Sequence, residues 1–114
     1  MNYITHNEDE ISVNGTCGRG CIDCSYSKLT QVFGQPSNNY DNYKSDAEWH
    51  LEFEDGSIAT IYNWKNGINY CGPDEGTPTE LITVWNVGGN GANATRLVLE
   101  TLEGMHNRGV TVKV

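Results

Sequence analysis

The segment from Ala47 to Trp64 constrains the fold of this 114-residue chain more than any other part of the sequence. Apolar and polar residues alternate strictly from Ala47 to Phe53, which is the period of a β-strand with one buried face. Asp55-Gly56 then predicts a tight turn, because glycine accepts the positive φ that such a turn requires. The next residues, Ser57–Trp64, are rich in β-branched and aromatic side chains and predict the return strand. The apolar face of the first strand comprises Ala47, Trp49, Leu51 and Phe53, and its polar face comprises Glu48, His50, Glu52 and Glu54.

Two helices and a third strand are predicted around this hairpin. Ser25 or Ser27 is a suitable N-cap for the first helix, and Gly34 ends it. Gly104 is the predicted C-cap of the second helix, whose apolar residues recur at helical spacing. The predicted elements are a helix over Ser25–Phe33, a strand over Glu80–Trp85 and a helix over Asn93–Glu103.

This order of elements predicts an α+β fold in a single small domain, residues 1–114. We expect a three- to four-stranded antiparallel sheet with both helices packed on one face, the side of Trp49. The side of Glu48 is then left in contact with water. Residues 1–13 are predicted to form an edge strand or a loosely held arm, and residues 108–114 a last strand or a tail.

The balance of charges bears on the class of partner. Fifteen acidic and seven basic residues give a formal net charge of −8. An acidic surface opposes direct binding of nucleic acid, because phosphate contacts need Lys or Arg. It favours solubility, or docking on a basic surface to which the protein is steered electrostatically. The sequence has no apolar stretch of transmembrane length and its first residues do not resemble an export signal, so we expect a cytoplasmic protein without membrane binding.

Three cysteines, Cys17, Cys21 and Cys24, lie within eight residues of a glycine-rich segment. Thiols on a flexible loop can converge on one metal ion, and the cytoplasm keeps them reduced. Their C-x3-C-x2-C spacing is also that of radical-SAM enzymes, but those enzymes need a (β/α) barrel that this sequence does not predict. A structural zinc site, with Cys71 or a histidine as the fourth ligand, is the remaining cofactor hypothesis. Unligated thiols are the alternative that we favour, and they require no cofactor.

Two further patterns have both a functional and a structural interpretation. Glu48, His50 and Glu52 project from one strand face, where carboxylates beside a histidine can bind a metal; a solvated strand face is the commoner case. Gly88–Gly91 lies between a strand and a helix, where backbone amides can face an anion. Because it matches neither common phosphate-binding glycine motif, we favour a tight loop.

Aromatic residues are frequent for this length, with six tyrosines and three tryptophans. Aromatic side chains in polar loops can stack on bases or anchor a protein partner. We predict surface positions for Tyr40, Tyr43 and Tyr70, a core position for Trp49, and either environment for Trp64 and Trp85.

Several blocks between Gly15 and Gly89 form one pattern: Leu29, Val32–Pro36, Tyr43–Lys44, Ala47–Trp49, Phe53–Gly56, Ala59–Lys65, and Trp85 with Gly88–Gly89. On these residues, about two-thirds of the chain resembles a group of small uncharacterised proteins encoded by tailed bacteriophages and related mobile elements. The chain has Asn86 where the group has a histidine, and the group lacks the cysteine cluster. The resemblance transfers no catalytic mechanism. It implies a phage context, in which many small acidic proteins block host antiviral systems.

We therefore predict a non-enzymatic phage protein that inhibits a bacterial defence system such as CRISPR by contacting a host defence protein. One alternative is an oligomeric sponge that sequesters a nucleotide immune signal between tyrosines, Lys65 and the Gly88–Gly91 turn. A zinc- or cluster-dependent enzyme ranks last, because no paired base and nucleophile are visible. The candidate binding residues are Tyr40, Tyr43, Glu48, Glu52, Glu54, Lys65, Tyr70, Gly88 and Gly89, and the candidate metal ligands are Cys17, Cys21, Cys24 and Cys71.

Overall fold

Six strands, three α-helices and one 3-10 turn make up the part of the chain that the structure describes. The structure is a computed structural model and describes residues 3–6, 17–37, 45–107 and 112–113. The strands are β1 (Tyr3–Thr5), β2 (Cys17–Asp23), β3 (Glu48–Phe53), β4 (Ile58–Tyr62), β5 (Val84–Gly89) and β6 (Val112–Lys113). The helices are α1 (Tyr26–Phe33), α2 (Ile68–Cys71) and α3 (Ala94–Asn107), and the 3-10 turn is Thr79–Leu81.

The strands form one sheet in the order β2-β5-β4-β3-β1-β6. β1 to β5 pair antiparallel, whereas the two-residue β6 runs parallel to β1. The α+β fold is confirmed, but the predicted strand number of three to four was wrong. Segments at both ends of the chain and the cysteine segment also join the sheet. Their backbone groups are satisfied by partners far away in sequence, which a local pattern does not reveal.

The capping residues predict the limits of α1 better than those of α3. The side-chain oxygen of Ser25 accepts a hydrogen bond from the amide of Lys28 at 3.1 Å, so Ser25 is the N-cap of α1. Gly34, at φ 82°, ends this helix as predicted. The second of the two predicted helices is α3, and it continues through Gly104 to Asn107, so the predicted C-cap was wrong. A single glycine disfavours a helix by only about 1 kcal/mol and does not end it by itself.

Alternation along the strands gives the sheet two different faces. The face that carries Trp49 is apolar, and both longer helices cover it, as predicted. The ring of Phe33 in α1 lies 5.7 Å from the ring of Tyr3. On the same face, α3 comes so close that a Cβ on Gly89 would lie 2.3 Å from the Cβ of Ala94. The largest buried side chains of this core are Tyr3, Leu29, Phe33, Trp49, Leu51, Ile61, Trp85, Val87 and Val98.

Two fully buried tryptophans of the sheet form hydrogen bonds with the backbone at the two ends of α1. The rings of Trp49 and Trp85 meet edge to face, with centroids 5.4 Å apart at 78°. The Trp85 Nε1 donates a hydrogen bond to the carbonyl of Cys24, just before α1, at 3.0 Å. The Trp49 Nε1 donates to the carbonyl of Gly34, just after α1, at 2.8 Å. The ring of Tyr26, in the first turn of α1, packs 5.9 Å from Trp49 and 6.2 Å from Trp85.

No described helix covers the opposite face, yet the centre of that face is buried. His50 in β3 and Thr60 in β4 are directly paired and are only 3% and 5% exposed. The expectation that water covers the whole Glu48 side was therefore wrong in the middle of the sheet. A central strand position has neighbours on both sides, and the imidazole of His50 also contacts the carboxylate of Glu48.

Replacing Trp85 by Phe should destabilise the protein by about 2 to 3 kcal/mol. The change leaves the Cys24 carbonyl without its donor and removes part of a fully buried ring. Urea unfolding followed by circular dichroism measures the effect. The matched control is Trp64→Phe at a 47% exposed position, which should shift stability by no more than about 0.5 kcal/mol. Equal effects of the two substitutions would contradict the proposed role of the indole.

Candidate functional site

The connection between β4 and β5, residues 63–83, carries most of the exposed large hydrophobic side chains among the described residues. Such antiparallel neighbours are usually joined by about two to five residues, and much longer loops are often functional. This connection contains α2 and the 3-10 turn. It holds four of the seven exposed large hydrophobic side chains among the described residues, namely Trp64, Ile68, Tyr70 and Leu81. Exposed acidic side chains follow in the same connection at Asp74, Glu75 and Glu80.

The two aromatic side chains of this set form one cluster with a lysine. We call Trp64, Lys65 and Tyr70 the aromatic–lysine patch. The Nζ of Lys65 lies 5.8 Å from the centroid of the Trp64 ring and 5.4 Å from that of Tyr70. Both distances are within the range of a cation–π interaction. The structure thus brings two predicted binding residues, Lys65 and Tyr70, together. It adds Trp64, which is 47% exposed. The sequence left open whether this side chain lies in the core or at the surface.

Lys65 itself has a left-handed backbone conformation, with φ at 59°. Among the described residues it is the only one other than glycine with positive φ, a conformation that costs an L-residue about 1–2 kcal/mol. Its carbonyl accepts a hydrogen bond from the Sγ of Cys71 at 3.1 Å. The surrounding connection must therefore hold Lys65 in place against this strain.

The connection is held by hydrogen bonds centred on Asn63, whose side chain is 0% exposed. We call Asn63 and its partners Asp46, Ala47 and Asn66 the Asn63 hub. Its Oδ1 accepts hydrogen bonds from the backbone amides of Asp46 and Ala47, at 2.7 and 3.1 Å. Its Nδ2 donates to the Oδ1 of Asp46 and the Oδ1 of Asn66, both at 3.0 Å. All four hydrogen-bonding positions of the amide are used, which is what burial of a polar group requires. The other oxygen of Asp46 accepts from the amide of Asn69, the residue before Tyr70, at 3.2 Å.

Glycine is required where the connection folds against this hub. A Cβ placed on Gly67 would lie 2.0 Å from the Oδ1 of Asp46. A Cβ placed on Gly76 would lie 2.5 Å from the backbone of Gly67 and Ile68. Around Asn63, Gly67 and Gly76 the connection is therefore held by hydrogen bonds and close backbone approach, whereas Ile82 near its end packs in the core. Sequence reasoning missed this because its signals were only a loop rich in Gly, Asn and Pro.

Two histidine–glutamate pairs lie side by side on the face of the sheet opposite the helices. The Nε2 of His50 lies 2.7 Å from the Oε2 of Glu48, and the Nε2 of His6 lies 3.0 Å from the Oε1 of Glu52. The amide of His6 donates to the carbonyl of His50, so the two histidines are neighbours across β1 and β3. Within the described segments, the Nδ1 of His50 is buried without a hydrogen-bond partner. The predicted residues Glu48 and Glu52 are therefore already engaged with imidazoles, and the predicted Glu54 is exposed at the hairpin turn.

Glu48 of β3 and the aromatic–lysine patch are connected through Tyr62. Glu48 pairs with Tyr62 across β3 and β4. The ring of Tyr62 meets the ring of Trp64 edge to face, with centroids 6.1 Å apart. The carboxylates of β3 and the exposed rings thus belong to one continuous surface.

The cysteine segment is a strand and not the loop that the sequence predicted. Cys21 in β2 is exposed and stands opposite Asn86, whereas Cys24 is partly buried and packs against the core. Cys21 and Cys24 are three positions apart, and this odd spacing places their side chains on opposite sides of an extended backbone. Cys17 lies in β2, but its side chain is outside the described residues. Cys71 lies in α2, within the β4–β5 connection.

Across residues 3–6, 17–37, 45–107 and 112–113, no group of three His, Cys, Asp or Glu side chains is arranged to hold a metal ion. Burial raises the pKa of the Cys24 thiol, an effect that the nearby Lys28 ammonium partly opposes. Cys24 and Lys28 line an open groove of about 400 Å³ beside α3, on the helical side of the sheet. A raised pKa lowers the fraction of Cys24 that is present as thiolate, the nucleophilic form of the side chain.

Gly88 and Gly89 are the end of β5 and not a turn before the helix. The predicted third strand, Glu80–Trp85, begins only at Val84 and extends to Gly89. Gly88 pairs with Thr60 and Gly89 with Ala59, near the start of β4, whereas Lys65 follows the far end of that strand. A single chain therefore does not bring Lys65 and the two glycines together in the nucleotide pocket that the sequence suggested. Tyr40 and Tyr43 lie outside the described residues.

Comparison with known proteins does not assign the chain to a family. A scan against protein-family models finds no match, and a search of curated proteins finds none. No helix in the described part of the chain is long and apolar enough to cross a membrane. The resemblance to phage proteins therefore stays a prediction.

Replacing Gly67 by Ala should loosen the connection while leaving the sheet in place. The added methyl group would overlap the Asp46 carboxylate, at a cost of about 1–3 kcal/mol. We expect lower stability in urea and faster hydrogen exchange at the amides of Asn69 and Cys71. The control is Gly91→Ala, where nothing lies within 4 Å of the new Cβ. Unchanged exchange in the Gly67 variant would contradict the role of the hub.

Proposed function

We propose that this protein is a non-enzymatic, phage-encoded inhibitor that blocks a bacterial antiviral defence system, such as CRISPR, by binding one of its proteins in the cytoplasm of the infected cell. The observation that carries the proposal is the β4–β5 connection, with four large exposed apolar side chains on a hydrogen-bonded frame. Ordered apolar side chains outside a core are characteristic of surfaces that bind other proteins.

The aromatic residues of the connection have the properties of binding anchors. Trp64 and Tyr70 are 47% and 40% exposed. Tryptophan and tyrosine are the residue types most often found to dominate the energy of a protein interface. Because the Asn63 hub fixes the backbone beside them, little conformational entropy would be lost on binding.

The charge of the protein indicates a basic partner surface. The chain carries a net charge of −8, and exposed carboxylates at Asp74, Glu75 and Glu80 lie in the same connection as the anchors. Complementary charge accelerates encounter and excludes acidic surfaces. Defence proteins that handle nucleic acid need Lys and Arg for phosphate contacts, so an acidic protein docked there would compete with the nucleic acid.

The sequence resemblance supports the phage context. Its most specific block includes Ala59–Lys65, which contains Trp64 and Lys65 of the aromatic–lysine patch. Residues that serve only to build β4 would not need an exposed tryptophan at its end. The block thus combines strand-forming residues with part of the proposed binding surface.

Removing both anchors should abolish inhibition without unfolding the protein. We expect phage plaque counts on defended bacteria to fall when the expressed protein carries Trp64→Ala and Tyr70→Ala. Each anchor of this kind contributes about 2 kcal/mol, or roughly 30-fold in affinity. The matched control is Leu99→Ala, a 40% exposed apolar residue on α3, which should leave plaque counts unchanged.

The same assay tests the proposed function as a whole. The wild-type protein should raise plaque counts against at least one system in a broad panel of defence systems. Equal counts with and without the protein against every system would overturn the proposal. Full activity of the double variant would show that the β4–β5 connection is not the binding surface.

A further inference from the structure

The aromatic–lysine patch already holds a positive charge. The ammonium of Lys65 lies within 6 Å of two ring centroids, Trp64 and Tyr70, at 5.8 and 5.4 Å. A lysine at the surface of an acidic protein would otherwise extend into water, where its ammonium is strongly hydrated. The position of its side chain therefore identifies the two rings as a site that binds cations.

The backbone supports the same interpretation. Lys65 adopts a φ of 59°, which is unfavourable for a residue with a Cβ. The adjacent Asn63 hub and the hydrogen bond from the Cys71 Sγ to the Lys65 carbonyl hold it there. Strained residues that are fixed by their surroundings are often found at binding sites. Here the strained position is the one whose side chain lies over the two rings.

We propose that Trp64 and Tyr70 form a receptor for an arginine side chain of the protein partner, and that Lys65 occupies this receptor as an internal placeholder. The inference rests on the proposed function, because a basic partner surface supplies the arginine. Guanidinium is planar and more weakly hydrated than ammonium, so it stacks on aromatic rings more readily and displaces Lys65. The exposed carboxylates in the same connection favour the incoming positive charge.

The alternative role for Lys65 is direct contact with an anionic group of the partner. The two roles predict opposite effects of removing the side chain. A placeholder competes with the ligand, so its removal strengthens binding. A direct contact contributes to binding, so its removal weakens it.

The test is a titration of the 114-residue protein with a fluorescein-labelled octapeptide of alternating glycine and arginine. The Lys65→Ala variant should bind this peptide about two- to fivefold more tightly than the Lys28→Ala variant, which loses the same charge on α1. Lys65→Arg keeps the charge and should bind about two- to fivefold more weakly than the wild type, because an internal guanidinium holds the rings more firmly. Adding Trp64→Leu to Lys65→Ala should remove the gain.

Trp64 also gives a direct optical readout. It is 47% exposed, whereas Trp49 and Trp85 are 0% exposed, so a collisional quencher in solution acts mainly on Trp64. The arginine peptide should protect this fluorescence from acrylamide more than a glycine–lysine peptide of the same length does. Equal protection by the two peptides would contradict an arginine receptor.

The outcomes separate this inference from the proposed function. Equal peptide affinities of Lys65→Ala and Lys28→Ala, or weaker binding by Lys65→Ala, would overturn the placeholder. If the peptide affinities overturn the placeholder but the Trp64 and Tyr70 double variant loses its anti-defence activity, the proposed function stands without the arginine receptor. If the peptide series behaves as expected while the double variant keeps full anti-defence activity, the receptor stands and the docking surface of the proposed function is wrong.

Discussion

The contact between Trp49 and Trp85 is the constraint on which the rest of the structure depends. Both rings are fully buried, and their indole nitrogens donate to carbonyl groups at the two ends of α1. Burial of two rings of this size is a large apolar contribution, and both polar atoms are satisfied. With α1 fixed in this way and α3 close to Gly89, the helices occupy one face of the sheet. The other face carries the histidine–glutamate pairs, and the aromatic–lysine patch lies in the β4–β5 connection.

The protein uses two different means to order its two parts. Apolar packing orders the sheet and its helices, whereas residues 63–76 of the β4–β5 connection are ordered by the buried amide of Asn63 and the close approach of Gly67 to Asp46. Neither α2 nor the 3-10 turn buries a side chain. Because hydrogen bonds hold the backbone, Trp64 and Tyr70 are not needed in the core and remain exposed. This division of roles supports the proposal that the connection is a binding surface.

Local patterns predicted those elements whose signals are local. The alternation before Asp55 gave the hairpin correctly, and Ser25 and Gly34 marked the ends of α1. The cysteine segment was misjudged as a loop, because its glycines hide the alternation that β5 completes by pairing with it. Gly89 was misjudged as part of a turn for the same reason: its partners are Ala59 and Cys17 in other strands. Strand pairing depends on distant segments, so short-range patterns describe it poorly.

The sequence by itself determined the hairpin, the caps of α1, the apolar face around Trp49 and the acidic character of the surface, since each follows from neighbouring residues or from composition. Only the tertiary structure decided that Trp85 is buried and Trp64 is exposed, because both lie near the limits of strands and differ in what packs over them. It also decided that Lys65 meets Tyr70 and that His6 lies beside His50. Those contacts join residues from separate elements, and their geometry is set by strand order and by the polar hub, which no local pattern contains.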